Sequence, residues 1–450
     1  TEIKLRASRE TLLALREHPL LKKRNKSGWS RHELFNQYYD TAERDLAQAR
    51  VALRLRRDGE QFIQTLKSRG QSVAGLSERN EWDWYLDKAK LDTKKLGDDC
   101  WPASLAELDK KTLKPIFTTD FVREKAEIAW GRGKTKVVIE AALDLGKVKA
   151  GKQSEEICEL ELELRQGDPE ALLELAAELA ADLPLMPCDI SKAERGYRLQ
   201  DADGYNLQLP APALDPTMPL DEAVVALGWQ LLGNSQRLAE QYRFNGRWKL
   251  LGEWLQQLIE LRALLGSLGQ AAPRASSRDL RELLDALIQD WRPRVEAGQD
   301  DEGVRKAAPA QFAEELGQTR WGLLSLKASL WLLQRSWTEG RNARGDRQGA
   351  AELGKWLLHL LAEEAKALQL PRYQQQPEDL AEQSPRMERL LVWLHLARSV
   401  LELPEVDRLY GELAKLHELA RQPIDEQALE MRVEQAHLVW TLKAWKQLEK

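Results

Sequence analysis

In residues 1 to about 200, the alternate positions that a half-buried β-strand normally gives to neutral polar side chains are held by charges of both signs. Glu2, Lys4 and Arg6 alternate with Ile3 and Leu5; Arg54 and Arg56 alternate with Leu53 and Leu55; Glu159, Glu161 and Glu163 are separated by Leu160 and Leu162. Arg79, Glu81 and Asp83 continue the pattern around Asn80 and Trp82, Arg123, Lys125 and Glu127 keep it less regularly, and Glu140 and Asp144 share one parity. A period of two puts each set on one face of its strand. Taken singly, any of these faces could look at water, as one side of an antiparallel sheet commonly does. Taken together they choose Arg and Glu where solvated faces favour Thr, Ser, Gln and Lys, and their opposite faces are apolar enough to lie under helices. The alternative is a closed antiparallel barrel turned inside out, with its charged face lining the bore and its apolar face packed outward.

Such a bore suits a multivalent anion. Arginine grips phosphate oxygens through a planar fork and lysine as a compact point charge. Carboxylates clustered like Glu159, Glu161 and Glu163 with Glu2 raise one another's pKa unless a cation lies among them, and hard oxygen ligands call for Mg2+ or Mn2+. Basic groups for phosphate beside acidic groups for a divalent metal fit phosphoryl transfer, which rests mainly on positioning and charge neutralisation.

From residue 219 the pattern changes to long Leu/Ala/Glu/Arg helices, and a Pro-rich linker, residues 201–218, separates the two halves. The division predicts a domain at 1–200 and a helical domain at 219–450. A net charge of −5 over 450 residues gives no global attraction to nucleic acid or to an anionic membrane, so any anion site must be a local basic cluster. Cys100, Cys158 and Cys188 form no metal pattern and read as reduced thiols. With no long apolar run and no apolar core in TEIKLRASRE, the sequence predicts a soluble, cytoplasmic protein.

Several motifs then fall in order: T-E-I-K at the start, YYDT at 38–41, ALRLRR at 52–57, TLK at 65–67, R-x-E at 79–81, E-x-x-x-D-x-G at 140–146, ELELEL at 159–164 and SKxxRGY at 191–197. This series resembles the CYTH, or triphosphate tunnel metalloenzyme, family, and the whole chain is similar to the two-domain bacterial inorganic triphosphatases in which a helical CHAD domain follows the tunnel. The resemblance implies an α+β fold, an eight-stranded antiparallel β tunnel closed as a barrel with flanking helices, followed by an all-α helical bundle. It implies metal-dependent hydrolysis of inorganic triphosphate to pyrophosphate and phosphate, with Mg2+ or Mn2+ and a metal-activated water. By position, Glu2, Lys4 and Glu161 are the implied catalytic residues. Lys4, Arg54, Arg56, Lys67, Arg79, Arg123 and Lys125, with Lys192 and Arg195 on a last strand, are the implied triphosphate ligands. Glu2, Glu159, Glu161, Glu163, Asp144 and Glu140 are the implied metal ligands. The first glutamate of the family's E-x-E-x-K signature would precede Thr1.

Other features read more plainly. Gly131-Arg132-Gly133-Lys134-Thr135 lacks the first glycine of a Walker A loop, since Ile128 stands there, and reads as a hairpin turn. The six histidines include no His-x-x-x-His pair, and Tyr38 and Tyr39 read as strand-end packing residues. In the helical half, eleven tryptophans are expected in the core. The stretch that would bear a polyphosphate-binding histidine in CHAD domains reads GEWLQQLIELRALL and keeps only Arg262, which leaves Arg274, Arg278, Arg281, Arg292 and Arg294 as basic candidates for polyphosphate. Two further functions fit the first half: a nucleoside or thiamine triphosphatase or adenylate cyclase using the same bore, and a polyphosphate-binding module without catalysis. The retained acidic positions favour turnover, because a passive anion binder gains nothing from them.

Overall fold

The charged alternation becomes one face of a curled sheet. The computed structural model describes residues 1–450 apart from Arg69, Arg79, Arg132, Lys134, Thr135, Arg165 and Gln166 and the side chains of Gln71, Ser72 and Val73. Among the described residues there are eleven strands: β1 (Glu2–Arg6), β2 (Ser30–Asp40), β3 (Ala52–Asp58), β4 (Gln61–Lys67), β5 (Gln71–Val73), β6 (Leu76–Glu78), β7 (Glu81–Leu86), β8 (Lys114–Trp130), β9 (Val137–Ala150), β10 (Gln153–Leu164) and β11 (Met186–Pro187). They form one antiparallel sheet in the order β5-β6-β1-β10-β9-β8-β2-β3-β4-β7, with β11 also on β1.

The expectation of a closed, eight-stranded barrel is corrected. The sheet is an open half-barrel. The cause is the segment 61–86, which splits its pairing between the two ends of the sheet: β7 pairs with β4, whereas β6 pairs with β1 through Glu2↔Ser77 and Ile3↔Leu76. Among the described residues no ladder joins those ends.

The helices are α1 (Arg9–Glu17), α2 (Pro19–Arg24), α3 (Asp45–Gln48), α4 (Glu170–Asp182), α5 (Lys192–Gln200), α6 (Leu220–Asn245), α7 (Trp248–Ser267), α8 (Arg278–Ala297), α9 (Glu302–Leu316), α10 (Thr319–Leu333), α11 (Ala343–Gly349), α12 (Leu353–Leu368), α13 (Ser384–Leu396), α14 (Val406–Arg421), α15 (Glu426–Thr441) and α16 (Lys443–Leu448). One compact unit comprises Thr1–Pro210, Leu232–Trp254 and Asp290–Gln334; the other comprises Ala211–Leu231, Leu255–Gln289 and Arg335–Lys450.

In the first unit the convex face of the sheet is apolar, as the alternation requires. Ile3, Leu5, Leu160 and Leu162 are fully buried with Leu172, Leu175 and Leu179 of α4 and Leu326 of α10. On β3 and β4, Leu53 and Leu66 pack with Leu96, Trp101 and Leu105. The concave face is charged along only part of its length. At one end it becomes apolar, with Tyr38, Phe117, Phe121, Val148 and Ile157 clustering with Leu199 of α5. Helix α5 therefore sits in the concavity. Its approach is close: a Cβ placed on Gly196 would lie 2.2 Å from the Phe117 ring, so only glycine fits. Lys192 and Arg195 thus lie on a helix, and the expectation of a last strand is corrected. The local reason is Ser191, whose hydroxyl accepts from the Glu194 amide at 3.1 Å and starts the helix as an N-cap.

The helices that complete this unit bury Tyr242, Trp254, Trp291, Phe312 and Trp321 in edge-to-face contacts with ring centroids 5.0–5.8 Å apart. In the second unit Trp337, Trp393 and Trp445 are fully buried, and Trp393 meets Trp356 edge-on. Buried Arg432 donates to the carbonyls of Leu419, Ala420 and Gln422, satisfying the end of α14. Cys100, Cys158 and Cys188 are buried free thiols. No described helix is long and apolar enough to cross a membrane.

Candidate functional site

Strand register turns the alternation into rows that run across the sheet. Glu2, Glu163, Glu140 and Glu127 stand opposite one another on β1, β10, β9 and β8. The next row reads Lys4, Glu161, Ala142, Lys125, and the third reads Arg6, Glu159, Asp144, Arg123. The second and third rows mix signs; the third balances, and the second keeps one positive charge in excess. The first is wholly acidic, an arrangement that directly opposed strand positions normally avoid. Facing these strands across the concavity are β3 and β4, which carry Arg54, Arg56 and Lys67.

Between the two walls lies a cavity of about 530 Å3. Glu2, Lys4, Arg54, Arg56, Lys67, Arg123, Lys125, Glu140, Glu161, Glu163 and Lys192 all line it. Asp144, Glu159 and Arg195 are fully buried and do not line it. Arg79 and three residues of the 131–135 segment, Arg132, Lys134 and Thr135, lie outside the described residues, and so does the hairpin turn expected there; the flanking strands pair as far as Trp130↔Val137. Of the alternating charges that the resemblance does not assign to the site, Asp83 lines the cavity, while Arg6 turns to Glu155 and Glu240.

A buried ion cluster forms part of the cavity wall and the layer behind it. The Lys192 ammonium donates to Asp144 Oδ2 at 2.7 Å, to Glu161 Oε1 at 2.9 Å and to Glu159. Arg123 grips Asp144 with both arms, at 2.7 and 2.6 Å, and also reaches Glu161. Arg195 donates to Glu159 at 2.5 Å. Burial pushes the Glu161 carboxyl up, but Lys192, Arg123 and Lys4 outweigh it and hold the acid well below its ordinary value. For Glu159 the same contest, against Lys192 and Arg195, ends at about 2. Burial would lower the lysines, yet the carboxylates around Lys192 and Lys4 raise both.

The opposite wall is less well satisfied. Arg56 donates to Asn36 Oδ1 at 2.8 Å and, among the described residues, forms an ion pair with no carboxylate. Burial, with Arg54 and Arg123 nearby, pulls its guanidinium down to about 9. The Arg54 Nε is buried without a hydrogen-bond partner. Lys67 is lowered by burial and by Arg54, although Glu81 lies 2.7 Å away. A wall of desolvated cations with spare donors is complementary to phosphate oxygens.

For a metal, the donor chemistry is all oxygen. Ligand atoms of Asp144, Glu159 and Glu161 lie within 4.8 Å of one another, a spacing that could hold an ion, but Lys192 already bonds to all three. In the acidic row of Glu2, Glu163 and Glu140, Lys125 approaches Glu140 to 3.6 Å and Ser77 donates to Glu2 at 2.9 Å. With Glu161 beside it, that row supplies the hard oxygen donors a divalent cation takes, but its carboxylates are not gathered to within 4.8 Å of one another as those of Asp144, Glu159 and Glu161 are.

Two motifs meet away from the charges. Asp40 of YYDT is fully buried and accepts from the amides of Thr41, Leu46 and Ala47 at 2.7, 2.9 and 3.0 Å, and from the Tyr197 hydroxyl at 2.6 Å. It ties α3 and α5 to β2 and so fixes the angle at which Lys192 enters the cluster. Tyr38 does pack, stacking on Phe117 with centroids 4.7 Å apart, and it also lines the cavity.

The CYTH domain model matches residues 1–197. This part of the chain is a CYTH domain. An inorganic triphosphatase of Haemophilus influenzae is 34% identical over 166 residues, covering 37% of this chain and 46% of that protein, so the match spans about half the relative's length. Among solved structures, an adenylyl cyclase candidate from Hippeastrum described as having a dominant triphosphatase activity aligns at 21% identity over 45% of this chain and 99% of its own, with a TM-score of 0.32. An adenylate cyclase candidate from Bacillus halodurans aligns at 22% identity over 40% and 88%, with a TM-score of 0.25.

Sequence reasoning missed two residues that serve the CYTH domain's cavity. Glu81 holds both Lys67 and Arg54, at 2.7 and 3.2 Å, and its parity with Arg79 and Asp83 was the available signal. Glu240 of α6 enters a buried network beside β1 and β10. Arg6 donates to it at 2.6 Å, Arg198 at 3.4 Å and Arg243 at 3.0 Å, while Glu155 takes Arg6, Arg198 and Arg243 at 2.8–3.0 Å. No local pattern marks Glu240, because its partners are set by tertiary packing.

Among the basic candidates of the helical half, Arg262 is taken by both oxygens of Asp285 at 2.7 and 3.0 Å. Arg274 lies in a 3-10 turn ahead of α8, where its carbonyl accepts from Arg281 at 2.9 Å. Arg278 approaches Asp279 to 3.5 Å, and Arg294 stacks over Trp291.

Proposed function

We propose that the chain hydrolyses inorganic triphosphate, with water, to pyrophosphate and phosphate inside the charged cavity. The observation that carries this reading is the separation of charge across it: a row of register-matched glutamates on β1, β10 and β9 faces desolvated cations on β3 and β4. In this reading Arg54, Arg56, Lys67 and Lys125 bind phosphate oxygens, and Lys4 stands between the two walls. Arg79, in the R-x-E motif, joins the phosphate-binding set by its place in the sequence. Lys192 and Arg123 hold Glu161 ionised and oriented, and Arg195 does the same for Glu159 from behind. Glu2, Glu163, Glu140 and Glu161 hold Mg2+ or Mn2+, which when bound supplies charge neutralisation and acidifies water. Asp144 and Glu159 position Lys192 and the guanidinium groups.

The triphosphatase relative supports hydrolysis over mere binding, and so does the acidic row, which a passive polyphosphate binder would not need. We further propose residues 1–200 as the tunnel-type domain, 201–218 as the linker and 219–450 as a CHAD-like region. There the paired state of Arg262 favours a structural role over polyphosphate binding. The test is phosphate release from inorganic triphosphate by the full chain with Mg2+, Mn2+ or EDTA, beside Glu161→Gln. Release that requires the metal and disappears in Glu161→Gln is expected. Tight triphosphate binding without release under any metal would replace hydrolysis by a binding role.

A further inference from the structure

We propose that His32 accepts the proton of the attacking water and that Asp58 holds it in place for this, an inference that rests on the hydrolysis proposed above. The two residues meet at the wall of the charged cavity. Both line it, and their side chains are 31% and 29% exposed. Among the described residues no other histidine lines this cavity. Strand pairing fixes where the imidazole stands. His32 of β2 lies opposite Arg123 of β8, so it continues the row of Arg6, Glu159, Asp144 and Arg123 by one strand. Arg123 in turn reaches Glu161, which the proposed function assigns to the metal.

The partners of the ring decide which nitrogen can act. Nδ1 lies 3.3 and 3.4 Å from the two Asp58 oxygens; a carboxylate only accepts, so the proton sits on Nδ1 and Nε2 is the basic nitrogen. Ser30 Oγ, 3.4 Å from Nε2, also reaches the Lys125 carbonyl at 3.4 Å, so neither contact ties Nε2 tightly. Other acids of the cavity are occupied. Glu161 accepts from Lys192 and Arg123, Glu81 holds Lys67 and Arg54, and Asp83 accepts from Thr65 at 2.6 Å, while Glu2, Glu163 and Glu140 are the proposed metal ligands. A histidine with a carboxylate behind one nitrogen and the other nitrogen available is the arrangement general-base catalysis uses. From the surrounding strands, Arg56 of β3, Arg123 and Lys125 of β8, Asp83 of β7 and Glu140 of β9 bring charge to the same cavity. In the step, Nε2 takes one proton from water as the water oxygen bonds to a terminal phosphorus. The bridging P–O bond breaks, its electron pair leaves on pyrophosphate, and the proton passes from His32 to solvent.

The test measures kcat and KM of the full chain for phosphate release from tripolyphosphate with Mg2+ or Mn2+ between about pH 5 and 9, beside calorimetric binding of tripolyphosphate in EDTA. Wild type is expected to lose kcat on the acid side at about tenfold per pH unit, as one protonated base implies. His32→Gln should lower kcat by about 100-fold and abolish that acid limb, with KM and tripolyphosphate affinity within about twofold of wild type. Imidazole added to His32→Ala should restore part of the lost kcat, which it would not do for a residue that only packs. Asp58→Asn should lower kcat and move the acid limb to lower pH, because the imidazolium loses its counter-charge; should the variants at 32 not fold, this shift decides. The inference is overturned if His32→Gln keeps kcat within about threefold, keeps the acid limb or loses tripolyphosphate affinity instead, if imidazole does nothing for His32→Ala, or if Asp58→Asn leaves the limb where it is. Wild type that binds tripolyphosphate but releases no phosphate with either metal would show instead that the hydrolysis reading had failed, and this inference would fall with it.

Discussion

Replacing Lys192 with Met tests whether the buried ion cluster is held together as its geometry indicates. The Lys192 side chain is 9% exposed and bonds to three carboxylates that are 0–13% exposed. Methionine keeps most of the volume and removes the charge. Arg123 and Arg195, with Lys4 at the longer distance of 3.5 Å from Glu161, are then left for Asp144, Glu159 and Glu161 at pH 7. Removing one partner from a buried ion pair costs about 3–5 kcal/mol, which for a cooperative unit of this size lowers Tm on the order of 10 °C. The pH dependence has a definite sign. Burial alone would raise Glu159, but Lys192 and its neighbours hold it at about 2, so the wild-type cluster is stabilising above the ordinary carboxylate value of 4.5 and loses that contribution only as pH falls toward 2. Without Lys192 the carboxylates take up protons at higher pH, which relieves their repulsion. The gap in Tm between wild type and Lys192→Met should therefore narrow between pH 7 and pH 4, followed by thermal melts of the full chain. A gap under 2 °C at pH 7, or one of the same size at both pH values, would refute the reasoning.

Arg56→Ala should weaken tripolyphosphate binding by about 2–4 kcal/mol with little loss of Tm, since Arg56 ion-pairs with no carboxylate among the described residues; unchanged affinity would put it outside the site. Lys67 is held below its ordinary value of 10.5, so as pH rises it loses its proton, and tripolyphosphate affinity begins to fall, before that value is reached; Lys67→Arg should delay the fall. A flat affinity from pH 7 to 10 in wild type would exclude Lys67 as a ligand. Paired substitution Glu2→Gln with Glu163→Gln should weaken Mn2+ binding, read by paramagnetic relaxation, by at least about 10-fold while leaving Tm the same or higher, because it removes like charges opposed in register; unaltered Mn2+ binding would move the metal elsewhere. Truncation after Gln200 should yield insoluble or unfolded protein, since it removes both Glu240 and the α10 residues covering α4. A soluble fragment with the full chain's far-ultraviolet spectrum for its sheet would contradict this.

The concave face was legible because strand parity is a local property: Glu2, Lys4, Arg54, Arg56, Lys125 and Glu161 each sit where alternation puts them. The rows were not legible, because register depends on which residues oppose each other across strands far apart in sequence. Nor was closure. A segment such as 61–86 can continue a ring or split its pairing between two ends of a sheet, and alternation is the same in both cases. The motif SKxxRGY was placed on the wrong element for a related reason. Lys192 and Arg195 are three apart, a spacing that fits a helix, but the expectation of a charged last strand outweighed the Ser191 cap. Glu240 was beyond reach altogether. Within α6 it is one of two glutamates, with Glu222, and nothing local separates them; only packing shows that Glu240 neutralises Arg6 at a distance of 234 positions along the chain.

That long separation orders events in time. The sheet-bearing unit includes Asp290–Gln334, so a ribosome that has finished Gln200 must still add more than a hundred residues before Leu326 and Gln334, which meets Glu170, become available. At roughly 5–20 residues per second this takes on the order of ten seconds. Throughout that interval the nascent sheet carries α4 uncovered, and until Glu240 is made in its first third Arg6 and Arg198 share Glu155 alone. A chain of this design depends on its first two hundred residues being shielded during synthesis, and slow translation of the following helices should lower its soluble yield more than slow translation of the sheet itself.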